Sequence, residues 1–158
     1  MTASYLVEVM DWGLHVRLQG QLSIDQRDAV ARQVEVQCAN LGGRGTPWSS
    51  LIEFDRFEID DFRPEIVVAL MKLARRCGQL RCAVVMTDWH WASVMAEAMI
   101  AAGTDDQARI FVQPAGNTAN ALVEAPADGM PADDFTKMDS AMAWVLHGGV
   151  VPMVSKAA

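Results

Sequence analysis

The chain has 158 residues, which is enough for one domain with one hydrophobic core. Hydrophobic residues make up 51% of it and charged residues 21%, a composition that is typical of folded globular proteins and excludes extensive disorder. The formal net charge of -7 repels phosphate backbones, so nucleic acid is not an expected partner.

The N-terminal residues and the cysteines favour a cytoplasmic protein without a transmembrane segment. The first residues contain no basic segment followed by an apolar run, so no signal peptide is expected. The most apolar helix-like stretch, residues 92–102, contains Glu97 and is too short to span a bilayer. Cys38, Cys77 and Cys82 are irregularly spaced, so we expect reduced, buried or half-buried thiols and neither a disulfide framework nor a metal site.

The chain starts with two predicted strands, residues 4–10 and 14–19, which are joined by a tight turn. In the second strand every other residue is apolar, which predicts one buried face and one face in solvent. Ser23 followed by Gln26 has the spacing of a capping box and predicts the start of a helix. The glycine-rich residues 42–47 follow that helix and precede a strand. A phosphate-binding loop has the opposite order, so we interpret these residues as a connection.

The middle of the chain continues the pattern with a predicted third strand at residues 50–55. Asp60 and Asp61 are candidate N-caps of a second helix, which has Pro64 in its first turn. The unbroken apolar run at residues 82–86 is typical of a strand that is covered on both faces.

The remaining elements are a third helix, a fifth strand and a last helix. Thr87 or Asp88 caps the third helix, which ends at Gly103, and the fifth strand is predicted at residues 108–112. The stretch 113–134 contains three prolines, and we interpret it as an insertion with a short helix around residues 119–124. The last helix is predicted at residues 139–146. A tail, residues 148–158, follows it, and we expect its apolar part to pack on the domain or across a dimer interface.

The order of these elements predicts an α/β fold in a single domain that spans residues 1–158. A hairpin comes first, and each later strand is reached from the previous one through a helix, which implies parallel pairing. We therefore expect a mixed, mostly parallel five-stranded sheet with about four to five helices packed on it.

Local motifs within this order resemble those of the SpoIIAA-like family, a branch of the STAS-type fold. The motifs are the opening hairpin, Phe54-Asp55, Asp61-Phe62, residues 81–85, Asp88-Trp89-His90-Trp91, and the closing helix at residues 141–146. The resemblance implies a non-enzymatic module that binds a protein partner, requires no cofactor and forms a homodimer. It also implies a fold related to CRAL-TRIO lipid-carrying domains, which leaves the binding of an apolar ligand open.

The resemblance also bears on regulation, because STAS-type regulators carry a phosphorylated Ser or Thr where the helix after the third strand begins. Residues 55–63 contain no hydroxyl side chain, so we do not expect a phosphorylation switch at this place. Asp60 and Asp61 could imitate the phosphorylated charge, although helix capping explains both residues without that role.

Ligands of open α/β sheets bind beyond the carboxyl ends of the parallel strands, and several polar and aromatic residues fall there in this chain. The candidate residues for a ligand or partner are Asp55, Asp60, Asp61, Asp88, Trp89, His90 and Trp91. Carboxylates and a histidine in one crevice could hold a divalent metal, so a metal-assisted hydrolase using Asp55, Asp88 and His90 is one hypothesis. The spacing fits no ligand motif and no nucleophile signature is present, so we expect no catalytic residue and no metal site.

Tryptophans and methionines give a second hypothesis, the binding of an apolar ligand or lipid. Trp89 and Trp91 flank His90 and could line a pocket, although sealing the rim of the core is the interpretation that we favour. Methionines concentrate in the predicted helices, where they suit either an adaptable cavity or an ordinary core.

Overall fold

The computed structural model describes residues 3–113 and 137–148. Five strands and four helices lie in these ranges. In chain order they are β1 (Ser4–Met10), β2 (Gly13–Leu22), α1 (Ile24–Gly42), β3 (Trp48–Ile59), α2 (Pro64–Arg76), β4 (Gln79–Met86), α3 (Trp89–Ala102), β5 (Ala108–Val112) and α4 (Lys137–His147).

The strands form one sheet in the order β1-β2-β3-β4-β5. β1 and β2 are antiparallel, and every other neighbouring pair is parallel. The predicted mixed, mostly parallel five-stranded sheet is therefore confirmed. Because successive crossovers of one hand connect neighbouring strands, α1, α2 and α3 share one face of the sheet.

Two hydrophobic clusters cover the two faces of the sheet. The larger cluster lies under α1, α2 and α3 and contains Leu14, Val16 and Leu18, the alternating residues of β2. The smaller cluster joins Leu51 and Ala83 to α4 on the opposite face. The Trp144 indole N–H fixes α4 by donating to the carbonyl of Cys82 at 3.1 Å. The second face thus depends on a helix that lies far along the chain.

Local signals set several of the element boundaries. The Ser23 hydroxyl accepts from the backbone N–H of Gln26, and the Gln26 side chain accepts from the Ser23 N–H, which confirms the capping box of α1. Asp88 caps α3, and Gly103 ends it in the left-handed conformation. Gly13 has a φ of +150° and lies so close to β3 that a Cβ would be 1.7 Å from the carbonyl oxygen of Ser49. Only glycine fits this start of β2.

β3 extends four residues beyond its predicted end at Asp55, because a bulge interrupts the alternation of its side chains. The pairing register of β2 and β3 shifts between Gln19 and Gln21, and Arg56 adopts a positive φ of 49°. The bulge turns Phe57 to the same face as Phe54, and the two rings pack edge to face at 4.8 Å.

The prediction that Asp60 or Asp61 caps α2 is wrong. The N-cap is Arg63, whose side chain makes no capping hydrogen bond, while Pro64 occupies the first turn as predicted. Asp60 and Asp61 bond instead to side chains from β2, α1 and the start of α2. The predicted insertion at 113–134, its helix at 119–124 and the apolar tail fall almost wholly outside the described residues.

Candidate functional site: an apolar groove between α1 and α2

α2 packs loosely against the sheet. Ile66, Leu70 and Leu73 are only half-buried, and Ala74 is the one buried residue of this helix. The inner residues of α1 are also half-buried over much of its length, including Val30 and Val34. The cause is an elongated cavity of about 160 Å³ between α1, α2 and the sheet, to which these side chains contribute. We call this cavity the groove.

The groove follows the strands for most of their length. On β2 its lining extends from Leu14 to Leu22, a distance of about 25 Å at the rise of an extended strand. Among the described residues, its lining is aliphatic, aromatic or sulfur-containing except at the two ends. A space of this length and composition suits a chain-like or flat apolar molecule.

The inner end of the groove is polar but its groups are engaged with one another. Ser50 and Gln79 are both buried there, and the Ser50 hydroxyl donates to Oε1 of Gln79 at 2.5 Å. The Gln79 amide in turn donates to Oε1 of Gln107 at 3.4 Å. Because these partners satisfy one another, the inner end does not require a ligand to complete its hydrogen bonds.

Two buried thiols also line the groove, Cys38 from α1 and Cys82 from β4. Burial raises the pKa of Cys38 to about 12. Burial likewise raises the pKa of Cys82 to about 11, against a smaller opposing effect of a hydrogen bond with Ser50. Both thiols are therefore neutral near pH 7 and add to the apolar character of the lining.

The outer end, which we call the mouth, lies at the carboxyl ends of β2 and β3 and carries two guanidinium groups. Arg27 and Arg63 both contribute to the lining there. Nη1 of Arg27 donates to Oδ2 of Asp61 at 3.2 Å, and Nε of Arg63 donates to the same oxygen at 3.0 Å. Nε of Arg27 also donates to Asp28 at 3.0 Å. The mouth therefore contains two cations that are paired with two anions.

Asp61 holds its charge firmly in this arrangement. The hydrogen bond from Arg63, followed by that from Arg27, lowers the pKa of the Asp61 carboxyl below its ordinary value. Asp61 also has a positive φ of 50°, and its carbonyl oxygen accepts from Nη1 of Arg27 at 2.6 Å. The backbone carbonyl and the carboxylate of Asp61 thus both accept hydrogen bonds from the guanidinium group of Arg27.

An aromatic cluster packs beside the mouth. The rings of Phe57 and Phe62, which line the groove, each lie 5.1 Å from the ring of Trp91 in edge-to-face contacts. Trp91 is buried, as expected of a core residue. Its indole N–H has no hydrogen-bond partner among the described residues.

The acidic residues that were predicted as site candidates have separate partners. The Asp55 carboxylate pairs with Arg56 at 3.0 Å, and the Asp60 carboxylate accepts from Gln21 at 2.9 Å. Asp88 accepts from the backbone N–H of His90 at 2.6 Å, which is its capping bond. No group of three or more His, Cys, Asp or Glu side chains within residues 3–113 and 137–148 is arranged to hold a metal ion.

The aromatic candidates and His90 differ in how far they are buried. Trp89 is 70% exposed, so the interpretation that it seals the core is wrong for this residue, and His90 is exposed beside Trp91. Of the candidates, Asp61 lies at the mouth of the groove and bonds to residues that line it, and Trp91 packs beside the mouth against Phe57 and Phe62.

Sequence reasoning missed Arg27 and Arg63, although their positions carry a signal. Arg27 lies in the first turn of α1 and Arg63 is the N-cap of α2. A cation is unfavourable near a helix N-terminus because the helix dipole is positive there. An arginine in that position therefore indicates a nearby anionic partner. Asp61 is such a partner at both helices, and Arg27 also pairs with Asp28.

Comparison with other proteins adds no identification. No protein-family model, curated protein or solved structure matches the chain. The resemblance to the SpoIIAA-like family therefore stays a prediction. None of the helices that the structure describes combines the length and apolarity needed to cross a membrane.

Proposed function

We propose that the protein binds an apolar small molecule in the groove between α1 and α2. The observation that carries this proposal is an elongated cavity of about 160 Å³ whose apolar lining is left half-buried on both helices. An apolar ligand would remove these side chains from water, which is the dominant favourable contribution to such binding.

The energetic cost of an unfilled groove supports a binding role. The groove leaves several large apolar side chains half-buried, and fully burying one such side chain is worth about 1.5–3 kcal/mol. Domains of this size are stable by only about 5–15 kcal/mol, so the unburied apolar surface is a considerable cost. A ligand that fills the groove recovers part of that cost and is expected to stabilise the fold.

The test is a titration with N-phenyl-1-naphthylamine, a neutral apolar dye whose fluorescence rises on binding. Val34→Phe places a ring into the groove from α1, and we expect a loss of dye affinity of about tenfold or more. Val36→Phe is the matched control, because Val36 lies on the same helix and is 57% exposed. Equal dye affinity in the protein and both variants, or no dye binding by the unmodified protein, would refute the proposal.

The same proposal has the protein act by binding, without catalysis, in the cytoplasm. Free thiols within the described residues, two of them buried, support a reducing compartment. We also propose that the fold is of the STAS type and belongs to its SpoIIAA-like branch, which the opening hairpin and the mixed five-stranded sheet support.

A second candidate function is self-association into a homodimer that serves as a protein-interaction module. It is supported by two large apolar side chains on α3, since Trp89 is 70% and Ile100 is 67% exposed. They are eleven positions apart, which is about three helical turns, so both lie on one side of α3. Exposed tryptophans often supply binding energy at interfaces. Sedimentation of the unmodified protein and of Trp89→Ser tests this, and a monomer at every concentration would exclude it.

A further inference from the structure

The mouth of the groove contains the charged residues that the polar end of a bound ligand would contact. Within the described part of the chain, Arg27 and Arg63 are the charged residues of the lining, so in isolation the mouth would suit an amphipathic ligand with an acidic head. Whether such a head can bind depends on which donors of the two guanidinium groups are still available.

Hydrogen bonds within the protein occupy most donors of Arg27 and part of those of Arg63. On Arg27, Nε bonds to Asp28, and Nη1 bonds to both the carbonyl and the carboxylate of Asp61. Nη2 of Arg27 also lies 2.9 Å from Asp28. On Arg63, Nε and Nη2 lie 3.0 Å and 2.9 Å from Oδ2 of Asp61. One carboxylate oxygen thus accepts from both guanidinium groups.

An acidic head group that bridges Arg27 and Arg63 would have to displace that oxygen. The Asp61 carboxylate is attached to the chain and therefore competes at a high effective concentration. A displaced Asp61 would also remain close to the ligand as a like charge, on a protein whose net charge is already -7. An uncharged polar end neither has to displace the Asp61 carboxylate nor is repelled by it.

We propose that Asp61 makes the groove selective for uncharged apolar ligands, because its carboxylate occupies the position between Arg27 and Arg63 where an acidic head group would bind. Asp61 is then a specificity-determining residue. This inference rests on the proposed function, since it concerns the ligand of the same groove.

The backbone of Asp61 allows a clean variant. Its φ of 50° is strained for most residues, but asparagine and aspartate tolerate this conformation. Asp61→Asn therefore keeps the turn while it removes the charge that binds both guanidinium groups. Asp60→Asn is the matched control, because it removes one charge from the adjacent residue, whose carboxylate accepts from Gln21.

The experiment displaces bound N-phenyl-1-naphthylamine with 1-decanol or with decanoate, which have the same chain length, at neutral pH and fixed salt. We expect the unmodified protein to bind decanol more tightly than decanoate by about tenfold or more. Asp61→Asn should raise the affinity for decanoate by about tenfold, with little effect on decanol or the dye. Asp60→Asn should keep the preference of the unmodified protein.

Each other outcome has a definite meaning. Equal affinity of the unmodified protein for decanol and decanoate overturns the inference and requires no variant. An equal gain in decanoate affinity in Asp61→Asn and Asp60→Asn also overturns it, since the cause would then be net charge. If the dye binds normally in these cases, the proposed function stands. If the unmodified protein does not bind the dye, the proposed function fails and the inference fails with it.

Discussion

The raised pKa values of two thiols in the core predict that the protein becomes less stable at alkaline pH. Burial raises the pKa of Cys38 to about 12 and that of Cys82 to about 11, whereas the ordinary value is 9.0. Each folded pKa lies above the unfolded one, so the unfolded chain loses its thiol protons first. The stabilisation is therefore complete below about pH 9 and is lost as the pH rises through the folded values.

The size of the effect follows from linkage. Between the unfolded and folded pKa values, each thiol lowers the free energy of unfolding by about 1.4 kcal/mol per pH unit. Near pH 10, which is about one unit above the unfolded value, Cys38 and Cys82 together lower it by about 3 kcal/mol. A marginally stable domain would lose a large fraction of its stability.

The assay is urea unfolding at neutral pH and near pH 10, under reducing conditions, for the unmodified protein and for a variant with Cys38→Ala and Cys82→Ala. The unmodified protein should lose about 3 kcal/mol more than the double variant between the two conditions. Val84→Ala is the control, because it truncates a buried side chain without removing an ionisable group. The same loss in the unmodified protein and the double variant would refute the reasoning.

Three further substitutions test the local contacts. Ser23→Ala removes the hydroxyl that accepts from the Gln26 N–H and should lower the free energy of unfolding by about 1 kcal/mol in urea titrations. Gly13→Ala should cost more than about 3 kcal/mol by the same measurement, because its Cβ would lie 1.7 Å from the Ser49 carbonyl oxygen. Trp91→Phe removes an N–H without a described partner and should change stability by less than about 1 kcal/mol, whereas Trp91→Ala should cost about 3–5 kcal/mol. Thermal unfolding of both Trp91 variants checks this, and equal losses would contradict it.

The fold could be predicted from the sequence largely because its boundaries are set by local signals. The alternation in β2, the capping box at Ser23 and the left-handed Gly103 each act within a few residues of where they occur. The order of strands and helices then limits the topology to a mostly parallel sheet. These signals do not depend on distant parts of the chain.

The errors in the prediction come from interactions between distant segments. β3 was expected to end at Asp55, but pairing with β2 continues beyond a bulge at Arg56 that sequence alternation does not reveal. Asp60 and Asp61 have the residue type of helix caps, yet Gln21 and Arg27 provide partners from more than thirty residues away. Capping propensity is a local preference, and here tertiary hydrogen bonds are stronger.

The groove could not be predicted for a related reason. A helix has the same apolar stripe whether it packs tightly on a sheet or stands apart from it, so Ile66 and Leu70 carry no sign of the space beneath them. The separation of α1 and α2 is a property of how the two helices pack.

The position of α4 has a consequence for synthesis of the protein. α1, α2 and α3 each connect strands that pair with one another, so the first face of the sheet can assemble as the chain emerges from the ribosome. The bond from Trp144 to Cys82 spans 62 residues, so α4 cannot pack on the second face until translation has passed it. During this interval Leu51, Ala83 and Val85 lack their contacts with α4, and unprotected apolar surface of this kind favours aggregation. The face that contains the groove can therefore assemble before α4 covers the opposite face.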